Sequence, residues 1–353
     1  MIQKEEFGKL GSQETTSLYT IRSAALTAQI TDFGATPVSL FVNRQDGSAP
    51  VDVVLGYDTA AGYEADDAYL SALIGRFAAR IEDGHFFLNG KEYRTDVNEG
   101  KNTLHSGFHG YHKRLWRADE QTMSESQITF TLHSDDGDQG FPGNVELSVT
   151  YSVNDTGDFR IYYRGVCDQD TPLNLTNHIY WNLNGQGVGD ILGHRVRISA
   201  DSFTPVRGAD CIPTGEILPV QGTVFDFSDW REIGERIDAK EDQVSWTGGY
   251  DHNYCLSADR GHGSQGQLTT ALEACGDRSG IQMTARTSLP GFLFYTGNNL
   301  TPRSGKRSAE YRRRSGFCVE TQYYPNCVNE PDFPSCILHA GEIYEAETVF
   351  SFK

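Results

Sequence analysis

Alternation of apolar and polar residues is the dominant pattern along the chain. The segment "VELSVTYSV" (145–153) has an apolar side chain at every second position and polar side chains between them. Because successive side chains of a β-strand point to opposite faces, this pattern predicts a strand with one buried face. The predicted buried face carries Val145, Leu147, Val149, Tyr151 and Val153, and the other face carries Glu146, Ser148, Thr150 and Ser152.

Similar segments recur along the chain, separated by turns that contain Gly, Asp and Asn. Strands are predicted in "AALTAQITDFGATPVSLFVN", "QITFTLHS" and "FRIYYRGV". The segment "HFFLNGKEYRT" predicts a hairpin, because Asn89-Gly90 suits a type I′ turn. Short strands at a spacing of roughly ten residues, joined by such turns, predict an all-β fold, an antiparallel sandwich or barrel.

Two segments carry weaker helical signals. "DAYLSALIGRFAARIED" (67–83) has apolar residues at helical spacing, but Gly75 interrupts it. "FSDWREIGERI" (227–237) could hold a short surface helix. No fixed-period repeat, low-complexity tract or Pro/Ser linker divides the chain. We therefore predict one large all-β domain over residues 1–353 with few short helices.

Charge and cysteine usage narrow the class of protein. The 353 residues carry 30 Lys and Arg against 48 Asp and Glu, a formal net charge of −18. This charge argues against binding to nucleic acid or to an anionic membrane surface. The opening "MIQKEEFGKLGSQ" lacks the apolar region of a secretory signal, and no window approaches the ~18 apolar residues of a membrane span. Seven cysteines without a CxxC pair predict reduced thiols in a cytoplasmic protein.

One carboxylate stands out in "GFCVETQYYPN" (316–326). A buried strand is predicted here, and Glu320 has no Lys or Arg in the next five residues. An ionised carboxylate on a buried strand is unfavourable unless another group pairs with it or uses it. A structural Glu bonded to backbone amides is the alternative. Alternation puts Cys318, Glu320 and Gln322 on one face of the strand and Phe317, Val319 and Thr321 on the other.

Histidines supply further candidates. In "NTLHSGFHGYHKRLW", His105, His109 and His112 are spaced four and three apart, which on a helix could bind a metal. Gly107 and Gly110 argue against that helix. We therefore predict no metal site here. We predict instead a single functional histidine, His105, in a loop whose conformation depends on its glycines.

His178 lies in "PLNLTNHIYWNLNG", beside Asn177 and Tyr180. Amides bond hydroxyl groups and aromatic rings stack on C–H faces, so this mixture suits a sugar. A hydrogen-bonded structural histidine is the alternative. With Glu320 as a base and an imidazole as an acid, proton transfer needs no cofactor.

Short segments that run almost end to end carry a family resemblance. They are "ITDFGATPVSLFV", "VDVVLGYDT", "ALIGRFAARI", "NTLHSGFHGYHKRLW", "GFPGNVELSVTY", "LNLTNHIYWNLNG", "GGYDHNYCL", "PGFLFYTGNNL", "GFCVETQYYPNCVNEPDFPSCIL" and "AGEIYEAETVFSF", in that order. Together they resemble the aldose 1-epimerase (galactose mutarotase) family. The resemblance implies a large antiparallel β-sandwich, or supersandwich, with a sugar cleft across one concave face. It also implies a cofactor-independent isomerase that interconverts the α and β anomers of free hexoses such as glucose and galactose.

The resemblance also implies roles for individual residues. Glu320 would be the general base and His178 the general acid, while His105 would hold the sugar near its ring oxygen. Asp251 and Arg80 would bind hydroxyl groups. We add Asn177 and Tyr180, the polar and aromatic neighbours of His178, as substrate-binding candidates.

The chain departs from the family pattern at two positions. Many relatives have Asn where Ala79 stands and Gln where Leu293 stands, so two polar contacts are lost and the preferred sugar stays open. A non-catalytic carbohydrate-binding protein is one alternative function. An epimerase of another sugar, such as a hexose phosphate, is a second, although the matched cleft motifs show no Arg or Lys cluster for a phosphate beyond Arg76 and Arg80. A monomer and a homodimer are both compatible with the sequence.

Overall fold

A computed structural model describes residues 2–44, 47–256 and 267–353. The first strands are β1 (Gln3–Lys9), β2 (Thr15–Arg22), β3 (Leu26–Thr31), β4 (Thr36–Val42), β5 (Val51–Asp52), β6 (Leu73–Ile74), β7 (Arg80–Ile81), β8 (His85–Leu88), β9 (Lys91–Arg94) and β10 (Thr103–Leu104). There follow β11 (Arg117–Ala118), β12 (Gln127–Ser134), β13 (Val145–Val153), β14 (Asp158–Cys167), β15 (Thr171–Pro172), β16 (Thr176–Asn177), β17 (Arg195–Ile198), β18 (Ser202–Thr204), β19 (Leu218–Pro219) and β20 (Arg231–Glu232). The last strands are β21 (Asp251–Cys255), β22 (Thr269–Cys275), β23 (Gln282–Thr287), β24 (Gly291–Tyr295), β25 (Arg303–Ser304), β26 (Glu310–Tyr311), β27 (Cys318–Gln322), β28 (Ile337–Leu338) and β29 (Ile343–Phe352). Within these ranges the α-helices are α1 (Ala60–Glu64) and α2 (Asp242–Thr247).

Three sheets make up most of the molecule. The largest has nine strands in the order β11-β12-β13-β14-β29-β23-β22-β17-β20. The other two have five strands each, in the orders β1-β2-β3-β4-β5 and β19-β18-β21-β24-β27. Neighbouring strands pair antiparallel throughout these sheets, as in the register of β12, β13 and β14. The all-β, antiparallel prediction is therefore confirmed.

The sheets pack through one shared apolar interior. In β13 the five residues predicted to face inward are all buried, because their side chains point at the other sheets. The Tyr19 ring of β2 lies 5.5 Å from the Phe130 ring of β12, and the Trp181 ring lies 4.8 Å from the Phe350 ring of β29. A single buried cluster thus takes side chains from both five-stranded sheets and the nine-stranded sheet. The single-domain organisation over residues 1–353 stays a prediction.

Local expectations had mixed outcomes. The hairpin of β8 and β9 is confirmed, and both turn residues have positive φ, 52° at Asn89 and 78° at Gly90, as a type I′ turn requires.

The two segments with weak helical signals do not form α-helices. Residues 67–83 form β6 and β7 joined by turns. Gly75 is needed there because a Cβ would overlap the ring of Tyr111 and the side chain of Leu175. Residues 227–237 hold β20 and the 3₁₀ turn Ile233–Glu235 in place of an α-helix. None of the helices within the described ranges is long and apolar enough to cross a lipid bilayer.

A buried ion pair fastens the first sheet to the loop that follows β25. The ammonium group of Lys306 donates to the Asp52 carboxylate (2.7 Å), the Ser39 hydroxyl (2.8 Å) and the Val38 carbonyl (2.6 Å). The side chains of Lys306 and Asp52 are each 4% exposed. All three donors of the ammonium are thereby used, so the burial of its charge is compensated.

Lys306→Met should lower the free energy of unfolding by about 3–5 kcal/mol, because it leaves the Asp52 carboxylate buried without its cation. Urea unfolding of the full-length protein measures this loss. Lys101→Met is the matched control, since Lys101 pairs with Asp83 at the surface and its side chain is 63% exposed. A loss in Lys306→Met no larger than in the control would contradict the assigned contribution of the buried pair.

Candidate active site

Three neighbouring strands provide the floor of the candidate site. The register pairs Asp251 of β21 with Tyr295 of β24, and Tyr295 with Cys318 of β27. Leu293 is likewise paired with Glu320. Paired residues of antiparallel strands lie on the same face, so these side chains form one surface. The predicted alternation is confirmed, because the Thr321 hydroxyl lies on the opposite face, where it bonds Thr348 of β29 (2.6 Å).

This surface lies under a cavity of about 220 Å³. Six of the seven predicted site residues line it, namely Arg80, His105, His178, Tyr180, Asp251 and Glu320. Ala79 and Leu293, the two departures from the family pattern, also line it. The remaining lining residues are Asp67, Ala68, Tyr69, Glu99, Leu104, Tyr295, Asn299, Leu300, Thr301 and Arg303.

Asn177 is not among the residues that line the cavity. Its amide nitrogen is 3.3 Å from the hydroxyl of Tyr151, a residue of the apolar interior. Asn177 lies in β16 beside β6, and the strand alternation turns its side chain away from the cavity while His178, the next residue, faces it. This geometry therefore does not support the predicted direct contact between Asn177 and a sugar.

Left-handed backbone conformations concentrate at the cavity. Tyr69, Ala79 and His105 have φ of 56°, 60° and 51°. Each such conformation costs a residue with a Cβ on the order of 1 kcal/mol, and residues of this kind cluster at functional sites. Ala79 and His105 hold each other in place. The backbone N–H of His105 donates to the Ala79 carbonyl (3.0 Å), and the Ala79 N–H donates to His105 Nδ1 (3.1 Å).

That second hydrogen bond fixes the tautomer of His105. Burial, with smaller contributions from the nearby His178 and Arg80, lowers the pKa of His105 well below its usual value, so the ring is neutral. A backbone amide can only donate, so Nδ1 is the acceptor and the ring proton is on Nε2. His105 therefore presents an N–H donor to the cavity.

Side-chain atoms of His105, His178 and Glu320 lie within 4.8 Å of one another, and two imidazoles with one carboxylate form a donor set typical of zinc sites. The tautomer of His105 argues against this use. Its Nε2 carries the ring proton and has no lone pair for a metal, while its Nδ1 is occupied by the Ala79 amide. The cluster therefore fits a ligand with hydrogen-bond acceptors better than it fits a metal ion.

Glu320 and His178 form the most unusual contact of the cavity. Glu320 Oε1 lies 3.5 Å from His178 Nε2, and the two side chains are 2% and 6% exposed. Burial, and secondarily the charge of Asp251, raise the pKa of Glu320 well above its usual value. Burial lowers the pKa of His178 to about 4. Burial therefore favours the neutral form of each group, in which the pair holds a single proton, on Glu320.

Glu99, which was not predicted from the sequence, orients Arg80. Arg80 Nε and Nη2 donate to the two carboxylate oxygens of Glu99, at 2.6 and 2.9 Å. This two-point pairing fixes the plane of the guanidinium group. Burial raises the pKa of Asp251, which also lines the cavity and accepts a weak bond from the Cys211 thiol (3.7 Å). The sequence offered one signal that Glu99 belongs to the site, namely its position six residues before His105.

Arg303 at the mouth of the cavity was also missed. Its Nη1 lies 3.1 Å from an Asp66 oxygen and 2.8 Å from an Asp67 oxygen. Nothing in the local sequence around Arg303 indicates a site, because its acidic partners are more than 230 residues away. Arg76, considered earlier as a cleft cation, is buried elsewhere, where it bonds Ser134, Thr171 and the carbonyls of residues 142 and 143.

Comparison with known proteins identifies the family. The aldose 1-epimerase family profile matches residues 17–351. The chain is 40% identical to galactose mutarotase from Sus scrofa, with 100% of this chain and 98% of that protein covered. It is 34% identical to aldose 1-epimerase from Escherichia coli, with 95% and 94% covered. A crystal structure of an aldose epimerase homologue from C. elegans superimposes with a TM-score of 0.85 at 30% identity, covering 96% of this chain and 99% of that one. The chain belongs to the aldose 1-epimerase family.

Proposed function

We propose that this protein is an aldose 1-epimerase that interconverts the α and β anomers of a neutral free aldose by proton transfer between the sugar, Glu320 and His178. The observation that carries the proposal is the 3.5 Å contact between the buried side-chain atoms Glu320 Oε1 and His178 Nε2 in the lining of the cavity. A pair with one proton between two groups can take a proton at one site and give one at another. Family membership supplies the reaction class.

Ring opening requires one proton to leave the sugar and one to arrive. Glu320 takes the proton of the C1 hydroxyl while the Nε2–H of protonated His178 gives a proton to the ring oxygen. The C1–O5 bond breaks, its electron pair stays on O5, and C1 becomes an aldehyde carbon. Rotation about C1–C2 presents the other carbonyl face, and the reverse transfers reclose the ring. Both groups return to their starting states, so no cofactor is consumed.

Sugar binding would set the protonation states that these roles need. Burial by itself favours the neutral forms, with the proton on Glu320. A sugar brings hydroxyl groups that donate to the carboxylate, and hydrogen bonds to the charged form lower a carboxyl pKa. The proton then has to move only across the Glu320–His178 contact. The Nε2–H of His105 would donate to the ring-oxygen region, and Arg80 and Asp251 would bind hydroxyl groups.

The lining of the cavity supports a free hexose as substrate, and the state of the cysteines supports a cytoplasmic location. Ala79 and Leu293 give part of the wall an apolar surface, which suits the C–H faces of a sugar such as glucose or galactose. All seven cysteines are free thiols, which fits the reducing cytoplasm proposed from the sequence. Whether the protein is a monomer or a homodimer stays open.

Glu320→Gln should lower the rate of mutarotation by about 10²–10⁴, the usual contribution of a positioned base, because an amide cannot accept the C1 proton. Polarimetry of freshly dissolved α-D-glucose and α-D-galactose measures this. Glu342→Gln, at an exposed position, is the control and should keep full activity. Full activity in Glu320→Gln would exclude Glu320 as the base. Sugar binding by calorimetry without catalysis in the wild-type protein would favour the carbohydrate-binding alternative.

The pH dependence of kcat/KM should be bell-shaped. At low pH a second proton enters the pair near the pKa of His178, about 4, and no base remains. At high pH the pair loses its one proton, through a pKa raised above the usual range of Glu320, and no acid remains. The enzymatic rate after subtraction of the spontaneous rate gives the profile. An activity that rises without a limit toward alkaline pH would contradict the shared-proton assignment.

Sugar phosphates should be poor substrates. Arg80 and Arg303 are the cations among the described lining residues, and each already contacts a carboxylate, Glu99 for the first and Asp66 and Asp67 for the second. A phosphate would have to displace these partners. Glucose 6-phosphate, compared with glucose in the same assay, tests this. Equal kcat/KM values would instead support the hexose phosphate epimerase alternative.

A further inference from the structure

The strand that carries Glu320 contacts His178 at both ring nitrogens. The sulfur of Cys318, a residue with no exposed surface, lies 3.5 Å from His178 Nδ1. Glu320, two residues further along β27, lies 3.5 Å from His178 Nε2. Residues i and i+2 of a strand share a face and are separated by roughly 6.6 Å along the chain, which lets one strand place a group at each side of an imidazole.

The chemistry proposed for His178 sets a condition on Nδ1. If Nε2 gives and takes the exchanging proton, the ring must keep its other proton on Nδ1 in both protonation states. A buried N–H needs an acceptor, and the sulfur of Cys318 lies at hydrogen-bond distance from Nδ1, in addition to a hydrogen bond between the ring and the backbone of His178 itself. Burial, and secondarily the charge of Glu320, raise the pKa of the Cys318 thiol well above its usual value, so the sulfur remains a neutral thiol.

We propose that Cys318 is a positioning residue whose sulfur accepts the Nδ1–H of His178 and thereby reserves Nε2 for proton exchange with the sugar. The inference rests on the proposed function and adds to it a residue that does not touch the substrate. It assigns His178 the tautomer opposite to that of His105, whose Nδ1 accepts the Ala79 amide. The same side-chain type can therefore act as a fixed donor at one side of the cavity and as a proton carrier at the other.

The partner of Nδ1 also affects how readily His178 gives up its proton. A carboxylate at this position would stabilise the imidazolium form and weaken it as an acid, whereas a neutral thiol does so only slightly. Other titratable groups also face the ring or act on it through space. They are Glu320 on β27, His105 (5.4 Å between rings), Tyr180 (5.0 Å), Tyr295 (6.0 Å), Tyr69 (6.1 Å) and the nearby guanidinium of Arg80.

Cys318→Ala and Cys318→Ser test the positioning role. Cys318→Ala should lower kcat on the order of tenfold, below the full contribution of a positioned acid, with little change in KM, because the sugar contacts remain. Cys318→Ser should recover most of the lost kcat, since a hydroxyl oxygen also accepts Nδ1–H. Cys167→Ala is the control at another buried thiol, whose sulfur contacts the carbonyls of Leu338 and His339. Unchanged kcat in Cys318→Ala, or no recovery in Cys318→Ser, would overturn the proposal.

Nitrogen NMR of the imidazole rings gives a readout that does not depend on activity. The His178→Gln variant assigns the His178 signals. In the wild-type protein we expect the His178 proton on Nδ1, and in Cys318→Ala a shift of population toward the Nε2–H form. If the wild type lacks mutarotase activity but shows this Cys318-dependent tautomer, the contact stands and the proposed function falls. If the tautomer is the same in Cys318→Ala, or Nδ1 is unprotonated in the wild type, the inference falls whatever the activity.

Discussion

The site depends on the burial of Glu320 without a cation in contact. In the described part of the chain its carboxylate meets no guanidinium or ammonium group, and its nearest polar partner is His178. Burying an unpaired carboxylate is strongly unfavourable, so the group takes up a proton and the imidazole beside it stays neutral. In the proposed mechanism a sugar hydroxyl redistributes the one proton that this pair shares. Proton transfer between these groups and a sugar also requires that the side chains around them be held in position.

Rigidity comes from unusual backbone conformations fixed by hydrogen bonds. Ala79 and His105 both adopt left-handed φ angles and bond each other twice, through the backbone and through the imidazole. One consequence is a fixed ring orientation for His105, and another is a fixed position for Arg80, the next residue after Ala79. Because Glu99 then holds the guanidinium of Arg80 at two points, the cavity is ordered before a sugar enters. Preorganised donors of this kind need little rearrangement during the reaction.

The sequence predicted the elements whose information is local. Alternation in β13 identified the buried face, and in β27 it placed Cys318 and Glu320 on the face that meets the cavity. The roles of His178, His105, Arg80 and Asp251 came from the family resemblance, not from periodicity. The weak helical signal of residues 67–83 was wrong, because apolar spacing cannot distinguish a helix from tight turns packed against aromatic rings. Glu99 and Arg303 were missed because their partners are set by the folded arrangement.

The polar groups of the cavity fall into two sets. The first set is paired with other side chains, and the second set has no strong partner within the protein. The guanidinium groups of Arg80 and Arg303 each contact carboxylates, so they shape the cavity without leaving a free positive charge for an anionic substrate. Among the described residues of the lining, the groups left without strong partners include the carboxyl groups of Glu320 and Asp251 and the Nε2 atoms of His105 and His178. These are the atoms that would meet the hydroxyl and ring oxygens of a sugar. A neutral polyol satisfies them by hydrogen bonding alone, so the same unsatisfied groups that select a neutral sugar would also place its C1 and ring oxygens beside the mobile proton.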